Sequence, residues 1–146
     1  MKRKNLILII TLMISFAFAS DASLASAKDM TVADFKAEAF KNITQISPVE
    51  AKALLDKGGV HFVDVREPDE FKEGHIPGAE NIPRGTVEWM VPKKISDDKN
   101  ASIVVYCEHG SRGALATYTL VQMGYKNVKN LEGGRASWEK AGFPAK

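Results

Sequence analysis

The 146-residue chain predicts a single α/β domain built on a mainly parallel five-stranded sheet with helices on both faces. Three observations carry this. Short runs rich in β-branched residues alternate with helical stretches, which is the pattern of βαβ units. One run, Ser102 to Tyr106 ("SIVVY"), has no polar alternation and so suits a central strand covered on both faces. Glycine and proline punctuate the joints, while neither an internal repeat nor a low-complexity linker divides the chain.

The first 19 residues stand apart from that pattern. Lys2, Arg3 and Lys4 precede a nearly unbroken apolar stretch of 13 residues, Leu6 to Phe18, and small residues follow. The stretch falls short of the about 20 residues that a bilayer-spanning helix needs, and it has no polar face to lie on a membrane surface. It predicts a cleaved export signal over residues 1–19, with cleavage after Ala17-Phe18-Ala19 or as late as residue 27, after Ala25-Ser26-Ala27. The expected mature protein is periplasmic or secreted and keeps no stable membrane anchor. Without residues 1–19 the chain holds 17 Lys and Arg against 18 Asp and Glu, a net charge of −1 instead of +2. A near-neutral chain without a basic cluster predicts no nucleic-acid partner.

Along the mature chain, residues 28–42 predict an N-terminal helical extension, with Val32, Phe35, Ala39 and Phe40 at helical spacing against the body. The domain itself is expected over 43–146. It begins with a short strand in "KNITQIS", whose apolar members are Ile43 and Ile46. Ser47-Pro48-Val49-Glu50 then combines an N-cap serine, proline at the first helical position and glutamate at the third, a strong helix start. Ala51, Leu54 and Leu55 supply its buried stripe, and Gly58-Gly59 end it.

"VHFVDV", residues 60–65, is the second strand, followed by the turn "REPDE", a brief helical turn and "GHIPGA". "AENIP" is a third, short strand. Gly85 to Ile95 predicts an irregular or helical stretch with Val87, Trp89, Met90 and Val91 as its apolar content. "SIVVY" is the fourth strand. Arg112 to Met123 forms a buried helix closed by Gly124, "NVKNL" the fifth strand, and "GGRASWEKAG" a last helix with Trp138 inward.

Cys107 is the chain's one cysteine, so neither an internal disulfide nor a cysteine-rich zinc site is available. His61, His75 and His109 are too widely spaced for a metal-ligand pattern. Cys107 ends the central strand, and in parallel sheets ligands bind beyond the carboxyl ends of the strands. The loop from Glu108 to Arg112 has Gly110 at its middle, which allows a curl that aims backbone amides inward as an anion nest. The following helix points its positive end into the same space. Both features favour a thiolate, Arg112 adds a positive charge, and Glu108 opposes them unless its side chain turns to solvent. The competing explanation is packing, since a free cysteine closing an apolar strand is often simply buried.

"CEHGSR", residues 107–112, resembles the Cys-x-x-Gly-x-Arg active-site loop of the rhodanese family of sulfurtransferases. "DVREPDEFKEGHIPGAENIP", residues 64–83, resembles that family's upstream signature, and "LEGGRASWEKAGFP", residues 131–144, its C-terminal pattern. The resemblance spans roughly residues 43–144. It implies Cys107 as nucleophile and Glu108, His109, Gly110, Ser111 and Arg112 as the substrate-binding loop. The implied reaction is a two-step transfer: a donor such as thiosulfate leaves a persulfide on Cys107, and cyanide, a small thiol or an acceptor protein thiol removes it. No metal or organic cofactor is implied. Thiosulfate-preferring members often carry basic residues after the cysteine, whereas Glu108 and His109 stand here and Glu108 would repel a dianion; a persulfide or polysulfide donor is the alternative.

Tyrosine phosphatases and arsenate reductases resemble a Cys-x5-Arg pattern, one residue longer than the four between Cys107 and Arg112. A non-turnover sulfur carrier, a rhodanese-fold binding module and a redox thiol are the remaining readings of Cys107. Asp64 and Arg66, at the end of the second strand, suit an ion pair closing the turn, with orientation of the cysteine loop as the alternative. His75 suits a structural hydrogen bond, His61 a strand face, and His109 a rim position that tunes charge. Trp89 is expected in the core, with the pocket mouth as its other place.

Overall fold

The computed structural model describes residues 29–146; the expected export signal and both cleavage motifs lie outside them. Among the described residues the strands are β1 Thr44–Ile46, β2 His61–Asp64, β3 Glu80–Asn81, β4 Ile103–Tyr106 and β5 Val128–Leu131. They form one parallel sheet in the order β1-β5-β4-β2-β3. The helices are α1 Val32–Lys41, α2 Pro48–Lys57, α3 Pro68–Glu73, α4 Val87–Lys94, α5 Ser111–Gln122 and α6 Gly134–Lys140. A 3₁₀ turn, Arg84–Thr86, leads into α4, so the stretch expected to be irregular or helical is both in turn. Among the described residues no helix is long and apolar enough to cross a membrane.

Strand alternation sorts the core into two layers. Val63 of β2 with Ile103 and Val105 of β4 face one side, where Val87 and Val91 of α4 and Ala116 and Leu120 of α5 cover them. Phe62, Val104 and Tyr106 face the other, against Ala51 of α2 and Trp138 of α6. Every residue of β4 is therefore buried, which is why that strand carries no polar alternation. The edge strand β1 buries only Ile46. Ile43 falls just before it.

Helix α2 starts as expected. The Ser47 hydroxyl accepts from the Glu50 amide at 3.3 Å, and the Glu50 carboxylate accepts from the Ser47 amide at 3.0 Å. Helix α1 differs from expectation: Ala39 is fully buried, but Val32 and Phe35 are 78% and 56% exposed. The helix meets α5 through its carboxyl half, where the Tyr118 hydroxyl donates to Glu38 at 3.0 Å, so its first turn has no partner layer among the described residues. Trp89 likewise departs from its expected core position and is 64% exposed. Val87 and Val91, four apart, take the inward face of α4, and position 89 falls on the opposite side.

Candidate active site

Cys107 follows β4, the middle strand of the sheet, and is only 2% exposed. The chain then curls through Glu108 and His109 to Gly110, whose φ of 88° lies in the left-handed region that glycine adopts without a Cβ clash. Gly110 caps α5, and the Ala114 amide is the first to bond back, to the Gly110 carbonyl at 2.8 Å. The backbone amides of residues 108–113 donate to no acceptor among the described residues. A run of amides without a protein acceptor that leads into the positive end of a 12-residue helix is the composition of an anion cradle.

The curl is held from behind by the start of α6. The Arg135 amide donates to the Cys107 carbonyl at 2.8 Å, and the Ala136 amide to the Glu108 carbonyl at 3.0 Å. The carbonyls of Cys107 and Glu108 are thus engaged by α6, while the amides of residues 108–113 have no acceptor among the described residues. Gly134 makes the approach possible: a Cβ there would lie 2.3 Å from the Cys107 carbonyl oxygen, and its φ of 64° is left-handed as well.

Charges around the loop are matched in pairs. Arg66, 1% exposed, donates from Nε and Nη2 to the fully buried Asp64 at 3.0 and 2.7 Å, and its Nη2 also reaches the Gly74 carbonyl at 2.6 Å. Its Nη1 donates to Glu108 at 3.1 Å. Arg135 closes on Glu108 from the other side, with Nε and Nη2 at 2.9 and 3.0 Å. The expected position of Glu108, toward solvent or repelling donors at the rim, is therefore corrected: two guanidiniums draw it inward. Burial opposes its ionisation, but the hydrogen bonds and charge of Arg135, with Arg66 behind, outweigh it and hold the carboxyl below its ordinary range. Asp64 and Arg66 make the ion pair anticipated at the turn, and the same guanidinium touches the cysteine loop.

Arg112 is not free either. Its Nη1 and Nη2 each donate to Glu70 of α3 at 2.7 Å, a bidentate pair, while the Glu67 amide donates to Glu70 at 3.1 Å and fixes the carboxylate from the other side. Arg112 holds its proton more tightly than an ordinary guanidinium, chiefly through its hydrogen bonds to Glu70. Glu70 is pulled down to about 2, chiefly by the hydrogen bonds from Arg112. A depressed carboxyl stabilises the fold above its ordinary value of 4.5, and that stabilisation disappears as pH falls through about 2. With both side chains over a third exposed, solvent screening limits the contribution to about 1 kcal/mol or less. Urea titration of Glu70→Gln should show it: the variant is less stable than wild type near neutral pH, and the two curves meet near pH 2. A difference independent of pH would contradict this account.

The remaining expected residues fall as follows. His109 is exposed on the loop and Ser111 half-buried at the first turn of α5. His75 is stacked on Phe71 with centroids 3.8 Å apart and its Nδ1 3.0 Å from the Phe71 carbonyl, a structural contact. His61 sits exposed on β2. Three contributors were absent from the sequence-based expectation: Glu70, Arg135 and the amides opening α6. Glu70 lies 42 residues from Arg112 and Arg135 lies 27 from Glu108, beyond the reach of any local pattern.

The family model described as Rhodanese-like domain matches residues 47–141, which take in Cys107, the carboxylates Asp64, Glu70 and Glu108, and the arginines Arg66, Arg112 and Arg135. This chain belongs to the rhodanese-like family. Among its relatives, Thiosulfate sulfurtransferase GlpE of Pseudoalteromonas translucida is 34% identical over 103 residues, covering 70% of this chain and 92% of that protein. A protein named Sulfurtransferase from Allochromatium vinosum is 36% identical over 95 residues, covering 64% and 85%. Of the solved structures, a protein of unknown function from Rhodopseudomonas palustris, called "Possible Tyrosine Phosphatase", aligns with a TM-score of 0.72 at 30% identity, covering 85% of this chain and all of that one. A rhodanese-related protein from Thermoplasma volcanium aligns with a TM-score of 0.60 at 30% identity, covering 70% and 97%. The five-stranded parallel sheet and the Cys107 loop are thus the rhodanese-like scaffold as this sequence builds it.

Proposed function

We propose that this rhodanese-like protein is a sulfurtransferase that moves a sulfane sulfur from a donor to a thiophilic acceptor through a persulfide on Cys107. The observation that carries the reading is the loop: the chain's one cysteine stands at the carboxyl end of the central strand, under a run of amides with no protein acceptor among the described residues. The relatives named as sulfurtransferases support the reaction class.

In the first step the Cys107 thiolate attacks the outer sulfur of the donor. A sulfur–sulfur bond forms to Cys107 as the donor's own breaks, and the electron pair leaves on sulfite from thiosulfate or on a thiolate from a persulfide. In the second, cyanide or a thiolate attacks the outer sulfur and the pair returns to Cys107. The displacements balance without an oxidant or reductant. Dividing the transfer in two is ordinary covalent catalysis, and the amides of residues 108–113 stabilise the negative sulfur at each stage. A tetrahedral phosphate is a poorer fit. The loop is one residue short of Cys-x5-Arg, and Arg112, which would have to grip the phosphoryl oxygens, already spends both terminal nitrogens on Glu70.

Turnover tests the reading. With donor and cyanide in large excess over protein, thiocyanate should accumulate to many equivalents per chain. A yield capped at one sulfur per chain would make the protein a carrier, and no thiocyanate with either thiosulfate or a persulfide would overturn the proposal.

A further inference from the structure

Three guanidiniums surround the cysteine loop, and each is already bonded to a carboxylate: Arg66 to Asp64, Arg135 to Glu108, and Arg112 to Glu70. The first two pairs are largely enclosed and fix the loop. The third is different. Its side chains are 39% and 35% exposed, it joins α3 to the first turn of α5, and Arg112 is the one guanidinium carried by the cysteine loop itself. An incoming dianion would draw on Arg112 before any other cation of the loop, yet Glu70 occupies both terminal nitrogens at 2.7 Å and is itself anchored by the Glu67 amide. The donor therefore meets amide dipoles with little net positive charge behind them.

Resting on the sulfurtransferase reading above, we infer that Glu70 is a specificity-determining residue: by holding Arg112 it disfavours dianionic donors such as thiosulfate and leaves the site to donors of low charge, the hydropersulfides of thiols. Such a donor needs no guanidinium. The thiolate takes its outer sulfur, the sulfur–sulfur bond breaks, and the departing thiolate carries one negative charge. The charge penalty that the sequence suggests for Glu108 is thereby reassigned to Glu70.

The test compares Glu70→Gln with wild type on two donors, thiosulfate and the hydropersulfide of an uncharged thiol, at one pH and two ionic strengths. Glu70→Gln should raise kcat/KM for thiosulfate by a factor of about 2 to 5, the range open to a screened surface pair, mainly through KM and less so at high salt. For the hydropersulfide it should stay within about twofold of wild type. Glu70→Asp, which keeps the charge, should keep the wild-type preference and guards against a loss that is only structural. An unchanged donor ratio in Glu70→Gln, or an equal rise for both donors, overturns the role of Glu70 while leaving sulfur transfer standing. Absence of a Cys107 adduct with either donor in wild type would overturn the sulfurtransferase reading, and this inference with it.

Discussion

Cys107→Ser is expected to bring sulfur transfer down to background, a loss of about a thousandfold or more, with the fold intact. The exchange changes one buried atom. Cys107 is packed at the end of β4, with its carbonyl bonded to the Arg135 amide, and serine preserves that backbone contact and nearly the same volume. What it removes is the only thiol in the chain. A serine hydroxyl stays protonated near neutral pH, has no general base beside it among the described residues, and cannot carry a sulfane sulfur as a persulfide. His75 is committed to Phe71 and His109 is exposed, so neither substitutes. Parallel measurement of thiocyanate formation and of urea unfolding separates the two effects. Activity above about one hundredth of wild type would assign the chemistry elsewhere.

Arg66→Leu should produce the largest loss of stability, about 3–5 kcal/mol, because it strands a buried charge. Asp64 is fully buried, and its carboxylate depends on Arg66 for the bidentate pair; one of its oxygens also accepts from the Arg66 backbone amide at 2.9 Å. The same substitution frees the Gly74 carbonyl and takes one of the two guanidiniums from Glu108. Arg66→Lys should recover only part of the loss, since a single ammonium cannot reproduce the planar fork that reaches Asp64, Gly74 and Glu108 together. Denaturant midpoints for both variants check this. An Arg66→Leu protein within about 1 kcal/mol of wild type would show that the pair is dispensable.

The layers of this fold are legible in the sequence because each follows from a local rule. The apolar run of β4 exists because both of its faces are covered, and the Ser47–Glu50 capping box forms as its spacing dictates. Gly110 is legible for the same reason: a curl between a strand and a helix requires a left-handed residue there. The site's electrostatics are not local. Glu108 and Arg112 carry opposite charges in one loop, and from the sequence they oppose one another over the thiol. In the fold each is claimed by a residue from elsewhere, Glu108 by Arg66 and Arg135, Arg112 by Glu70. Charge pairing across 27 or 42 residues leaves no period and no spacing in the chain. The exposure of Trp89 had a different cause: its apolar neighbours, Val87 and Val91, already filled the buried side of α4, and helical phase placed it outward. The dense packing of α6 on the loop also depends on geometry no pattern displays, a glycine whose missing Cβ leaves space for the Cys107 carbonyl.

The central claim is that Cys107 carries the sulfur. Because the chain has one cysteine, intact mass alone can decide it. Protein treated with excess sulfane donor and desalted without reductant should gain about 32 Da, one sulfur atom, located on the Cys107 peptide and lost on adding cyanide or a thiol. An unchanged mass after treatment with thiosulfate and with a hydropersulfide would contradict the account.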